Sequence, residues 1–536
     1  MNILKLSSAL VTSVFLMSSS AQAAKFMISF KDSARAQEFK NLIQTQKSLN
    51  IHFQEDLPLV KILIVDARDK NQILNHVSAH DINFIDKQTS FAAPRVEIVP
   101  TPSSGLVRMS PMNSQLPISQ GLKMIQAPQV WPMSRGAGVR VLIIDSGIDQ
   151  THPAFQGRIE KVKNFTGEGT ELEVQDDEGH GTHVAGIVAA QASEEAVGVA
   201  PEAHLLIAKV CGLKGCQSDA IARALNWALE QQVDVVNMSL GGAGSVIERF
   251  MINELDGKQI PVVAAVGNNG MEASPLPSGY LSVTAVGAVE MNGKRAAFSN
   301  WSAALDLMAP GVGIRSAVPL GSGRIATAGF QTADGTAKNL PAVTFKGVQV
   351  TSLNGSAVFA DFGTVDDIAK VSVAGKVLVV KRGNLPLIDK IKNGQVAGAV
   401  GIVVCNNDGA LVSGSVSEDP SEVKVPVIMV EKTAGEELIA SLVQSSAVSV
   451  QLDIHSADYA ELTGTSMSSP YVAGVVALMK SVAPGITSFK VRQILDATAT
   501  PMVTELPNQA GKGLVNAKAA VDGAYAVRGK YPRWPK

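Results

Sequence analysis

Apolar positions along the chain fall into three successive regimes. In the first, residues 25–30, 59–66 and 82–85 read as strands, and 33–48 and 70–79 repeat at helical spacing. That succession predicts a small α+β sandwich of the β-α-β-β-α-β type. In the second, short apolar runs at 139–144, 205–210, 233–238, 260–266 and 281–289 alternate with helix-like stretches, among them 180–191 and 218–231. Short, uniformly apolar strands separated by helices predict a parallel sheet covered on both faces, an α/β fold. In the third, between about 320 and 456, strand-like segments at 344–350, 376–380, 399–404 and 425–430 accompany a helix near 384–397. The second regime then resumes with helices at 466–480 and 515–524, so the third reads as a domain inserted into a loop of the α/β fold.

The stretches between these regimes carry their own signals. Lys5, the apolar run 6–17 and the small-residue ending Ala21-Gln22-Ala23 make 1–23 a secretory signal, cleaved before Ala24. Residues 94–117 turn to Pro, Ser, Gly and Met with little periodicity, the composition of an exposed, cleavable linker. The expected organisation is therefore a signal at 1–23, a small domain at 24–93, a linker with the maturation site at 94–120, and an α/β domain at 121–536 interrupted by 320–456. No later run reaches about 18 apolar residues, so no membrane span is expected. The product should be a soluble, exported monomer.

Composition narrows the partners. A formal net charge of −2 offers no basic face for nucleic acid. Three cysteines are too few for a disulfide framework. Cys211 and Cys216 are close enough to bridge a small loop, which export would allow, and Cys405 is left alone at the end of an apolar run.

Three local sequences carry chemistry. Asp145-Ser146-Gly147-Ile148-Asp149 follows the 139–144 run directly, and a carboxylate at a strand end can be held rigid to orient an imidazole. By itself it is weak evidence, since an aspartate followed by Ser-Gly is more often a plain turn. His180-Gly181-Thr182-His183-Val184-Ala185-Gly186 opens a helix; its two histidines could be a structural or metal pair, but the glutamate of a zinc-hydrolase H-E-x-x-H is missing. Gly464-Thr465-Ser466-Met467-Ser468-Ser469-Pro470 is followed by Val472, Val475, Val476 and Met479 at helical spacing. Ser466 then sits at a helix N-terminus, as a cap or as a nucleophile facing free N–H groups. Pro470 is tolerable if it falls in the first turn. A serine hydroxyl needs an imidazole to take its proton, and the imidazole needs a carboxylate to fix its tautomer, so the three together outweigh their separate bland readings.

In these motifs, and in the order Asp145, His180, Ser466, the chain resembles the subtilisin family over about 121–318 and 457–524. The resemblance implies a secreted serine endopeptidase, extracellular or periplasmic, acting on proteins or peptides through an acyl-enzyme. It implies that Asn268, in the 262–270 segment, supplies an oxyanion-binding amide beside the Ser466 N–H. It further implies that Ser239-Leu240-Gly241-Gly242 is the substrate-binding strand, with Leu213–Gly215 lining the other side of the groove, stiffened by any Cys211–Cys216 bridge. The first domain resembles the family's inhibitory prodomain by topology and position, so the chain's own prodomain is an expected partner. The insertion resembles a protease-associated (PA) domain, most clearly at 378–383 and 397–404. No cofactor is required. Structural calcium is possible, although 186–198 lacks the family's Asn-rich loop and offers only Glu194 and Glu195. The competing readings are a secreted protein-binding module on a protease scaffold and a metallohydrolase using His180 and His183.

Overall fold

The computed structural model describes residues 23–92, 118–193, 195–345, 348–407, 420–445 and 447–531. The signal reading, apart from its last residue, and the linker reading at 94–117 lie outside the described residues. The chain divides into two units, residues 1–88 and 89–536.

In the first unit, strand Ala24–Phe30 pairs antiparallel with Ile62–Ala67 on one side and Ile82–Lys87 on the other, and His52–Leu57 adds the edge. Helix Ser33–Thr45 begins where the Asp32 side chain accepts the Arg35 N–H at 2.8 Å, satisfying one of the amides a helix start leaves free. Phe39 and Ile43 from that helix close over Phe26, Ile28, Phe30, Leu63 and Val65. The His52–Leu57 strand has no apolar alternation because only its last residue is buried. Edge strands of this kind are invisible to a periodicity argument.

The second unit is built on seven parallel strands in the spatial order Leu307–Pro310, Val283–Val289, Val262–Ala265, Val235–Met238, Arg140–Asp145, His204–Lys209, Ile159–Asn164. Helices His180–Ala189 and Thr465–Val482 pack on each other and on the sheet. Their Val184, Val188, Val472, Val475 and Val476 share a core with Val141, Ile143, Leu205 and Ile207. Helices Ser218–Gln231 and Val246–Gly257 form a second packed pair. Among the described residues, no helix is long and apolar enough to cross a membrane.

The insertion leaves and rejoins this unit through an antiparallel ribbon, Ile314–Ala317 with Tyr459–Leu462. Between them lies an eight-stranded mixed sheet with its own core, including Leu378, Val379, Ile402, Val403, Ile428 and Leu452. One expectation is corrected there. Residues 344–350 are not one strand: Ala342–Thr344 ends at Thr344, and the next strand is Thr351–Phe359. The two segments pair with different neighbours, Val427–Val430 and Ser449–Ala457, so the chain must turn between them.

One half-buried carboxylate makes the fold sensitive to pH. Asp306 precedes an edge strand and its Oδ2 accepts the Ala285 N–H at 2.7 Å. Burial, with the nearby Asp496 adding, raises its pKa from 3.8 to about 6. A raised folded-state pKa gives stability that is complete below the unfolded value and is lost as pH rises through about 6. At pH 8 the ionised form should therefore cost about 1–3 kcal/mol. Asp306→Asn keeps an acceptor for Ala285 and removes the charge. Thermal unfolding at pH 8 should show the variant a few degrees more stable than the wild type, with the gap closing below pH 5.

Candidate active site

The site forms where three neighbouring strands end. Asp145 closes Arg140–Asp145, Ser239 follows Val235–Met238, and Asn268 lies just past Val262–Ala265, the three strands being adjacent in the sheet. Neighbouring strands are about 4.8 Å apart, so side chains from consecutive strand ends converge without help from long loops.

Asp145 is fully buried, and its Oδ1 holds His180 Nδ1 at 2.6 Å. The same oxygen accepts the Ser146 N–H at 2.8 Å. His180 opens its helix, brought close by Gly181, where an added Cβ would lie 2.2 Å from the Gly147 carbonyl oxygen. Burial pulls the His180 pKa down, but the field and hydrogen bond of Asp145, with Asp176 and Glu178 adding, outweigh it and raise the pKa above 6.5. With Nδ1 engaged by the carboxylate, Nε2 is the nitrogen left to accept a proton, and it has no hydrogen-bond partner among the described residues.

Ser466 is the second residue of helix Thr465–Val482. Its hydroxyl donates to the Ser239 carbonyl oxygen at 3.0 Å rather than to His180. Unliganded sites often hold such bonds loosely and tighten them around substrate. Pro470 falls in the second turn, not the first, which corrects the sequence reading. It therefore removes the amide that would have bonded the Ser466 carbonyl, and the Ser239 hydroxyl takes that carbonyl instead at 2.8 Å. The same Ser239 oxygen contacts Asn237 Nδ2 at 3.0 Å and Ser469 Oγ at 2.8 Å. Ser239 thus belongs to the seat of Ser466, with its hydroxyl turned away from the groove.

Asn268 is exposed, and its carbonyl oxygen accepts both the N–H and the hydroxyl of Thr465 at 2.9 Å. That leaves its NH₂ as the free donor beside Ser466, next to Gly464, where an added Cβ would lie 3.2 Å from Asn268 Nδ2. Replacing Asn268 with alanine should lower kcat about 10²–10³-fold with little change in KM, a magnitude carried over from a subtilisin. Steady-state kinetics on a peptide amide checks it.

Leu240 is buried, while Gly241 and Gly242 are not. Gly242 pairs both its backbone groups with Leu276, so it offers a surface rather than a free edge. The Phe91 ring lies over it, 2.9 Å from where a Cβ would be. Opposite, Cys211 and Cys216 are disulfide-bonded across the hairpin Cys211–Gly212 and Gly215–Gln217. Strand Ser90–Phe91 pairs antiparallel with that hairpin.

The other two histidine-based and glutamate-based readings separate cleanly. His183 Nε2 donates to the carbonyl oxygens of Ile314 at 2.8 Å and Ala460 at 3.1 Å, and burial pushes its pKa down to about 3. It is committed to the ribbon of the insertion, not to a metal shared with His180. Glu195 is paired with Arg315, and Glu194 lies outside the described residues. Two residues are missed by sequence reasoning. Asp176 is almost fully buried and accepts from Ser146, Gly179 and Thr182, yet in the run Asp176-Asp177-Glu178 it reads as a solvated loop. Thr465 looks like a bystander to Ser466, and only its contact with Asn268 shows otherwise.

Comparison with known proteins shows the family. Residues 136–374 match the subtilase family of S8 peptidases and 340–438 match the PA domain. An intracellular serine protease of Paenibacillus polymyxa is 41% identical over 236 residues, covering 42% of this chain and 70% of that protein. The chain belongs to the subtilase family. M-protease of Shouchella clausii is 32% identical over 329 residues, 58% of this subtilase and 80% of that protein. The crystal structure of the psychrophilic subtilisin-like protease Apa1 from the Antarctic psychrotroph Pseudoalteromonas sp. AS-11 aligns with a TM-score of 0.54 at 30% identity, covering 76% of this chain and 98% of that one. This subtilase is a serine-type endopeptidase whose substrates are proteins.

Proposed function

We propose that this subtilase is exported as a zymogen, and that Ser466 cleaves the chain beyond residue 92 to release the first unit as an inhibitor. The observation carrying this reading is the strand Ser90–Phe91, seated on the hairpin Gly215–Gln217 with its Phe91 ring over Gly242. Main-chain pairing of this kind reads no sequence and is what an extended substrate would use. Residues 89–92 follow the first unit directly, so the unit and the occupant of the groove are one piece of chain.

In the reaction, Ser466 Oγ attacks the scissile carbonyl while His180 Nε2 takes its proton. Asp145 keeps Nδ1 protonated and stabilises the imidazolium. Asn268 Nδ2 and the Ser466 N–H hold the oxyanion. His180 gives its proton to the departing amine, and water repeats the sequence on the acyl-enzyme. This chemistry requires no cofactor; calcium would serve structure alone. A single chain holds the whole constellation, in keeping with a monomer. The PA domain, joined by a ribbon that ends four residues before Ser466, would shape access to the groove.

Fluorophosphonate labelling of the purified protein, with mass spectrometry of its N-terminus, tests the proposal. Labelling of Ser466 together with a new N-terminus between 93 and 118 is the expected result. A chain that labels at full length without shortening would overturn the zymogen reading, and a chain that never labels would favour a binding role.

A further inference from the structure

We infer that the Cys211–Cys216 disulfide is a positioning device for substrate, holding the rim strand of the groove in the geometry needed to pair with an extended peptide. The inference rests on the proposed role of the Ser90–Phe91 strand as a substrate-like occupant.

The hairpin has little else to hold it. Its tip is Leu213-Lys214, and Leu213 is 98% exposed, so no apolar side chain anchors the turn. Glycines occupy both corners because close approach demands them. An added Cβ on Gly212 would lie 2.3 Å from Glu168 Oε2, and one on Gly215 would lie 2.3 Å from the Phe91 carbonyl oxygen. Gly215 also has φ +75°, a conformation other residues adopt with strain. The rim therefore admits a peptide backbone at close range only by giving up side-chain packing and accepting backbone freedom.

Two tethers offset that freedom. Glu168 Oε2 accepts the Leu213 N–H at 3.0 Å, fixing the tip. The disulfide fixes the base, and its placement is specific. Cys216 pairs with Cys211 across the hairpin and, on its other side, with Phe91 of the strand that occupies the groove. The covalent link thus spans the cross-strand pair whose outer member is in ladder register with the occupant. On the far side, Cys211 follows the strand His204–Lys209, whose Lys209 pairs with Asp145. Both cysteines are buried, so the bond is held within the rim. A rim kept extended before binding spares the ordering cost that a loose hairpin would incur on pairing.

The test uses the full chain, matured, with Cys211→Ala/Cys216→Ala and separately Glu168→Ala. Two substrates are compared, a peptide amide with at least four residues before the scissile bond and a short ester that does not reach the rim. For the cysteine variant KM on the long substrate should rise about tenfold, equivalent to 1.4 kcal/mol. Its kcat should stay within twofold, and KM on the short ester should not change. Glu168→Ala should shift the same constant in the same direction, about threefold, without touching a cysteine. An unchanged KM on the long substrate in the cysteine variant, or an equal loss on both substrates, overturns the inference. Where the cysteine variant fails to mature, the Glu168→Ala result decides alone. A wild type that neither turns over the ester nor labels with fluorophosphonate would instead defeat the functional proposal beneath it.

Discussion

Replacing Ser466 with alanine should lower kcat about 10⁶-fold, the magnitude known for a subtilisin, and leave the chain at its unprocessed length. The site explains why the loss should be chemical rather than structural. Among the described residues the Ser466 side chain makes one hydrogen bond, its hydroxyl donating to the Ser239 carbonyl oxygen. The bonds that secure the helix start use its backbone carbonyl and the side chains of Thr465, Ser239 and Ser469. Truncation at Cβ leaves these intact, so circular dichroism and thermal unfolding should match the wild type. Gel analysis of the two proteins expressed side by side reads the processing. A Ser466→Ala chain that shortens to the same form without added protease would show that another enzyme performs the cleavage.

Asp145→Asn should cost about 10⁴ in kcat, a value carried over from the corresponding change in another serine protease, and should move the acid limb of activity. Asp145 contributes through both position and charge. Its Oδ1 fixes the tautomer by accepting from His180 Nδ1, and an asparagine turned to donate there would put the proton on the wrong nitrogen. In the wild type the raised His180 pKa means the base is lost to protonation as pH falls through a value above 6.5. Without the carboxylate, burial dominates and the pKa falls, so the residual activity should persist to lower pH than in the wild type. A pH profile of kcat/KM for both proteins checks the direction. An unchanged acid limb would mean that the carboxylate does not set the imidazole pKa.

The elements carrying the chemistry were legible because their signals are local. The strands leading to Asp145, Ser239 and Asn268 are short apolar runs closed by polar or glycine-rich turns, and the helix after Ser466 shows apolar residues at helical spacing. The failures share one cause. His52–Leu57 is an edge strand with little burial, and residues 344–350 span the end of one strand and the approach to the next, which pair with different partners. Neither fact leaves a trace in a local window.

The order of the three motifs, the α/β class, the interrupting domain and the candidate reactive side chains were all determined by the sequence itself. Tertiary structure decided how each polar atom is used. Thr465 orients Asn268 across 197 residues of chain, and Ser239 replaces the amide lost at Pro470 across 227. Asp176 is pulled out of an acidic run to anchor Ser146 and Thr182. The hairpin closed by Cys211–Cys216 meets a strand from residues 90–91, more than a hundred positions earlier. Periodicity records which face of an element is buried; it does not record which donor meets which acceptor once distant strand ends are brought together.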